Sequence, residues 1–275
     1  MIDAHLHLTH NGRSVEETIT HIEAIGAEKA VMLPIEDGDD EFGWMTEDIV
    51  KAHRDYPDTI IPFCHVDVTR EDAVTELEKR AASGIFKGYG EQKQHLRLDD
   101  PRLEKVLAIC NELNWPVTWH FQEGERGYNQ GIEHLEVLLK KFPNIKFIGH
   151  AQSWWAHISA DVPAPEETLY PTGAVKPGGL IDRLLADYTN MFADLSAGSG
   201  LGGLTRDEDF TAGFLARHGK KLMFATDCPC RDGKGAGLSR GACFAQLSLP
   251  FLKRMLAPNA LEDILHNNAV RILNL

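Results

Sequence analysis

The chain has 275 residues, with 28 Lys and Arg against 41 Asp and Glu, so its formal charge is −13. Its 43% hydrophobic and 25% charged residues exclude disordered, collagen-like and coiled-coil chains. The acidic excess argues against general nucleic-acid affinity, and no apolar stretch reaches the roughly 20 residues of a membrane span.

The segment Met1-Ile2-Asp3-Ala4-His5 carries neither a basic region nor a signal-peptide core, which sets the expectation of a cytoplasmic protein. The five cysteines, Cys64, Cys110, Cys228, Cys230 and Cys243, are then expected as reduced thiols. Cys228 and Cys230 stand close together, open to a metal or redox role or to ordinary packing.

Short apolar runs predict strands over 2–8, 30–35, 60–67, 85–91, 117–122, 146–152, 191–196 and 222–227. Helical spacing appears between them. In 15–25 the apolar positions are Val15, Ile19, Ile22 and Ile25. In 101–113, Pro101 suits a first helical turn ahead of Leu103, Val106 and Leu107. Similar patterns cover 135–142, 181–188 and 261–275. Strand one is followed by no Gly-rich phosphate turn, which argues against an open doubly wound sheet. The alternation predicts an α/β protein, a (β/α)8 TIM barrel, as a single domain over 1–275. The long connection 153–179, with Trp154-Trp155 and four prolines, is expected as a loop over the active site.

His5 and His7 lie two apart on a strand, so both face the same way while Ile2, Ala4, Leu6 and Leu8 face the covering helices. Two inward imidazoles need polar partners, and a metal satisfies both. Hydrogen-bonded structural histidines are the bland alternative. His120 and His150 end strands five and six, and Asp227 ends strand eight, at the face where barrel active sites are built. Glu91, flanked by Gly88 and Gly90, ends strand four, where a carboxylate can bridge two cations or simply form a salt bridge. Lys87 shares its face but lies too deep for a bridging role.

His65 and Asp67 are expected either to contact substrate or to bond to each other. His10 and His95 are read as solvated or supporting loop residues, and His21, His53, His134, His218 and His266 as surface residues. Arg231, Lys93 and Trp154 are weaker candidates for binding substrate, the two cations through an anionic group.

The ordered set of His5-Leu6-His7, His120, His150 and Thr226-Asp227-Cys228-Pro229, closed by Asn267-Asn268-Ala269-Val270-Arg271, resembles the amidohydrolase superfamily and its amidohydrolase-2 branch over nearly the whole chain. The resemblance implies a metal-dependent enzyme with one or two divalent cations, zinc before manganese. His5, His7 and Asp227 would hold one cation, His120 and His150 the second, with Glu91 between them. Asp227 and His150 are the implied catalytic residues, Asp227 acting as general base for hydrolysis of an amide, ester or lactone.

Three alternatives stand beside this reading. One is a mononuclear, zinc-dependent decarboxylase of an aromatic or unsaturated acid. Another is a phosphoester or nucleic-acid hydrolase, suggested by the Gly-Glu of Glu91. The last is a non-catalytic binding protein on the same barrel. The expected partner is a small-molecule substrate, with no membrane, and a homo-oligomer follows only from general frequency.

Overall fold

The computed structural model describes residues 1–37 and 43–275. Among the described residues, eight parallel strands run in chain order: β1 (Ile2–Leu6), β2 (Lys29–Met32), β3 (Ile60–Pro62), β4 (Tyr89–Gln92), β5 (Pro116–His120), β6 (Lys146–His150), β7 (Met191–Asp194) and β8 (Leu222–Met223). Regular pairing joins β1 to β3 and β4 to β8 in sequential order. Two seams complete the ring. Cys64 pairs with Tyr89 between β3 and β4. The Ala4 amide donates to the Phe224 carbonyl at 3.0 Å, and the Asp227 amide donates to that of His5 at 2.9 Å. The result is the (β/α)8 barrel that the alternation predicts.

The connecting helices are α1 (Val15–Ala24), α2 (Thr46–Asp55), α3 (Ala73–Ala82), α4 (Pro101–Glu112), α5 (Leu135–Lys141), α6 (Gln152–Ala156), α7 (Leu180–Asp187), α8 (Ala197–Thr205), α9 (Glu208–His218) and α10 (Phe244–Met255). Local chemistry fixes their starts. Ser14 and Glu17 form a reciprocal capping box on α1. Asp100 caps α4, with Pro101 in its first turn. Several short helices over 258–273 close the bottom of the barrel.

Strand alternation divides the core in two. Val31, Leu33, Ile61, Phe63, Ile148, Phe192, Met223 and Ala225 form one apolar cluster with Ala269, Ile272 and Leu273. Residues of opposite parity, among them Ala30, Met32, Ile60, Val117, Trp119, Phe147 and Met191, pack into a larger cluster with the helices. Stepping up the first set by two residues leads from Phe63 to His65, from Ile148 to His150, from Phe192 to Asp194 and from Ala225 to Asp227. The same inward column that is apolar at the bottom therefore becomes polar at the carboxyl end.

Strand β4 is shorter than the expected 85–91. Gly88 precedes it because a Cβ there would lie 2.4 Å from the Phe63 ring, which fills the space. The connection 153–179 also differs from a structureless loop. It opens within α6, where Trp154 and Trp155 are buried, and the Ala160 amide donates to the Lys176 carbonyl to fold it back on itself. No helix among the described residues is long and apolar enough to cross a membrane.

Candidate metal centre

His5 and His7 stand on β1 and just past it, and each ring is pinned from behind. His5 Nδ1 donates to Asp194 Oδ2 at 2.8 Å, and His7 Nδ1 donates to the Leu33 carbonyl at 2.7 Å. His150 Nδ1, at the end of β6, lies 3.0 Å from Asp194 Oδ1. Carbonyl and carboxylate oxygens only accept, so these bonds place the protons on Nδ1 and leave bare Nε2 lone pairs facing inward. His120 is turned the other way. Its Nε2 lies 3.3 Å from Gln122 Oε1, and its Nδ1 faces Glu91 Oε1 at 2.7 Å.

With the rings neutral, as a cation requires, lone pairs therefore meet lone pairs. His5 Nε2 and His7 Nε2 are 3.3 Å apart. Glu91 Oε2 lies 3.1 Å from His7 Nε2 and 3.6 Å from His5 Nε2, and its Oε1 lies 3.7 Å from His150 Nε2. Asp227 Oδ1 is 3.5 Å from His7 Nε2, its Oδ2 is 3.8 Å from His150 Nε2, and Oδ1 is buried with no hydrogen-bond partner among the described residues. A buried acceptor without a donor is costly, and acceptors crowded against acceptors more so. A divalent cation relieves both. His5, His7 and Glu91 form one possible ligand group, Glu91, His120 and His150 a second, and His5, His150 and Asp227 a third. Glu91 belongs to two of them, as a bridging carboxylate must.

Electrostatics keep the donors in the state a cation requires. Burial, helped by the Lys93 charge, holds His120 down at about 4, so its ring is neutral at pH 7. Burial pushes the Glu91 carboxyl up, but His120, His5 and His7 overcome this and hold it well below the usual carboxylate range. Asp194 is likewise held down against its burial by His150 and His5. Asp227 is lowered by His5, His7, His10 and His150 in spite of burial. His5 is the exception. Burial lowers it, but Asp194, Glu91 and Asp227 raise it well above 6.5.

The site residues read from sequence fall into two groups. His5, His7, Glu91, His120, His150 and Asp227 converge. Lys93 joins their edge, with Nζ 5.0 Å from the Tyr128 ring centre and its charge acting on His120 and His10. Trp154 and Arg231 do not join them. Trp154 is fully buried under β6, stacked on Phe121, and a Cβ on Gly149 would lie 2.4 Å from its ring. It is a packing residue, and Gly149 is the hole it fills. Arg231 is 47% exposed and lies 3.9 Å from Glu17 at the surface.

Other expectations also change. His65 and Asp67 do not bond to each other: His65 accepts from the Glu36 amide and contacts Gln92, while Asp67 accepts from Thr69 and Gln94. Of the two readings for His10, the supporting one fits: its Nδ1 lies 3.6 Å from Asp227 Oδ1, and burial holds it down at about 4. His21 and His218 are buried rather than on the surface.

Sequence reasoning missed Asp194, Gln122 and Trp44. Asp194 was readable, because a carboxylate ends β7 in register with Phe192, on the inward face. Trp44, whose ring centre lies 4.2 Å from that of His7, gives no such signal.

The sequence profile of the amidohydrolase family matches residues 2–275. The chain belongs to the amidohydrolase family. Comparison with curated proteins finds no match. Among solved structures, an uncharacterized TIM-barrel protein from Bordetella bronchiseptica is 19% identical, covering 95% of this chain and 83% of its own, with a TM-score of 0.67. A probable 2-pyrone-4,6-dicarboxylic acid hydrolase from Acinetobacter baumannii is 16% identical over 100% of this chain and 99% of its own, TM-score 0.60. A 2,6-dihydroxybenzoate decarboxylase from Rhizobium is 12% identical over 99% and 98%, TM-score 0.59. Identities this low speak for a shared barrel. The family is generally metal-dependent, and this amidohydrolase has the side-chain groups to hold a metal.

Proposed function

We propose that this amidohydrolase is a metal-dependent hydrolase with two cations, acting on an amide, ester or lactone. The observation that carries the reading is Glu91, whose two oxygens face the His5–His7 pair on one side and the His120–His150 pair on the other. His5, His7 and Asp227 would hold the first cation, His120 and His150 the second. Zinc suits this mixture of imidazole and carboxylate best, with manganese next. A bound cation makes water acidic enough to attack at neutral pH and polarises an oxygen of the substrate.

The protein's own groups do the rest. Asp227 would take the proton of the attacking water on a carboxylate oxygen and deliver it to the leaving group. Its low proton affinity keeps it ionised and ready at neutral pH. His150, fixed by Asp194, orients the second half of the site. Trp44 covers His7 and keeps bulk water off that ring. Lys93, beside His120, would attract an anionic group of a small-molecule substrate.

Metal analysis of the purified chain and its Glu91→Gln variant tests the reading. About two cations per chain, falling to about one in the variant, supports it. With the metal-replete protein, an amide, ester and lactone screen should give turnover that Asp227→Asn abolishes without unfolding the chain. Undiminished turnover in Asp227→Asn refutes the proton role.

A second reading rests on the third ligand group, His5, His150 and Asp227, which could hold a single cation without Glu91. Decarboxylation of an aromatic or unsaturated acid suits that arrangement. It predicts about one cation per chain, unchanged in Glu91→Gln, and release of CO2.

A further inference from the structure

The loop that leaves β8 carries a second cluster of soft donors, on the far side of β1 from the histidine site. Cys230 Sγ lies 3.2 Å from His21 Nδ1, and the donor atoms of His21, Cys230 and Cys243 all fall within 4.8 Å of one another. The buried Cys228 thiol adjoins this group and interacts with the thiols of both Cys230 and Cys243. All four residues are fully buried, and none of the cysteines is in a disulfide. Sequence spacing hides this set, because His21 comes from α1, some two hundred residues away from the thiols.

We propose that His21, Cys228, Cys230 and Cys243 form a closed Cys3His site for a structural zinc ion, separate from the catalytic cations. Tetrahedral zinc with Zn–S of about 2.3 Å and Zn–N of about 2.0 Å sets donor atoms about 3.5–3.8 Å apart, a spacing that small side-chain rotations reach here. The Gly233 amide acts on Cys230 Sγ and the Ala245 amide on Cys243 Sγ, while the Gly235 amide donates to Asp232 Oδ1 at 3.0 Å. Gly233 has a φ of +67°, which lets the loop turn its amide toward the sulfur.

Charge also balances. Three thiolates and Zn²⁺ sum to −1. The buried guanidinium of Arg13 donates to the carbonyls of Cys228 and Cys230, where it offsets that charge. Binding releases the three thiol protons to solvent and consumes no oxidant.

The site would clamp the β8 loop to α1. A Cβ on Gly233 would already lie 2.7 Å from that of Ala24, so loop and helix are in close contact. Asp227 immediately precedes Cys228 and sits at φ +46°, so the clamp holds the backbone that aims the Asp227 carboxylate. The zinc is thus a positioning element for the catalytic site, although its existence does not depend on what that site does.

Cobalt(II) tests the proposal directly on the intact chain. Metal-free protein reconstituted with cobalt should show an intense near-ultraviolet thiolate-to-cobalt band, which a histidine–carboxylate centre does not produce. The band should be lost in Cys230→Ser and strongly reduced in Cys243→Ser, and should persist in a His5→Ala, His7→Ala variant. Zinc content should fall by about one equivalent in Cys230→Ser. Absence of the band in cobalt-loaded wild type, its persistence in both serine variants, or free reaction of all three thiols in the zinc-loaded native protein overturns the proposal. So does a disulfide among them in freshly purified protein. The optical band separates these outcomes from any failure of the hydrolase reading.

Discussion

Replacing Asp194 by Asn tests how the histidine site is held together. The carboxylate is fully buried and collects four donors. Oδ1 serves His150 Nδ1 at 3.0 Å, the Ser196 hydroxyl at 2.6 Å and the Ser196 amide at 3.2 Å, while Oδ2 serves His5 Nδ1 at 2.8 Å. An asparagine keeps the crowded side by placing its carbonyl there. Its NH2 group then faces His5. Two donors cannot share that contact, so the His5 ring must move its proton to Nε2, which points into the site. The His5 lone pair is lost where a cation needs it, while His150 stays correctly set. Losing a partner behind a metal-bound histidine typically costs about 10–100-fold in affinity, or about 1.4–2.8 kcal/mol.

Competition with a chromophoric chelator measures that loss, and nitrogen NMR of the imidazoles reads the tautomer. The expected outcome is one weakened cation per chain, a His5 ring protonated at Nε2, and an unchanged fold by circular dichroism. Wild-type affinity for every cation, in a folded Asp194→Asn variant, refutes the argument that Asp194 sets the His5 tautomer.

Acidification should release metal earlier than ordinary histidines would. Burial works against protonation of His5, but Asp194, Glu91 and Asp227 raise its pKa well above 6.5, so a cation must displace its proton at neutral pH. Affinity should therefore fall as pH drops, by about tenfold per unit for each proton displaced, and a flat profile between about pH 6 and 8 contradicts this. Lys93→Ala should let the His120 pKa rise from about 4 toward its ordinary value without reaching it, since burial is the larger cause; an NMR titration of metal-free protein measures it. Gly149→Ala places a Cβ 2.4 Å from the Trp154 ring and should destabilise the barrel by about 1–3 kcal/mol in denaturant unfolding. Wild-type stability there would show that Trp154 has room to shift.

The alternation of apolar runs with helical patterns carried the barrel, because a parallel strand buried on both sides has little choice but to be apolar. His5, His7, His120, His150 and Asp227 were legible for a related reason. Each follows its apolar run at the carboxyl end, and strand periodicity sends His120, His150 and Asp227 inward; in β1 the alternation breaks between Asp3 and Leu6, so Ile2 and Ala4 join the inner cluster instead of facing the helices as expected. Glu91 was legible from its flanking glycines.

Tertiary structure decided what those residues touch. The tautomers depend on Asp194 and the Leu33 carbonyl, which lie on other strands. Trp154 reads from sequence as a candidate for binding substrate, but the missing side chain of Gly149 gives it a place to pack. His21 looked like a helix-surface residue, but α1 lies against the β8 loop, and only that contact brings it to three cysteines more than two hundred positions away. Periodicity fixes which way a side chain points, because that is set by the backbone of its own element. Its partner is set by how elements pack across the barrel, and local sequence does not carry that information.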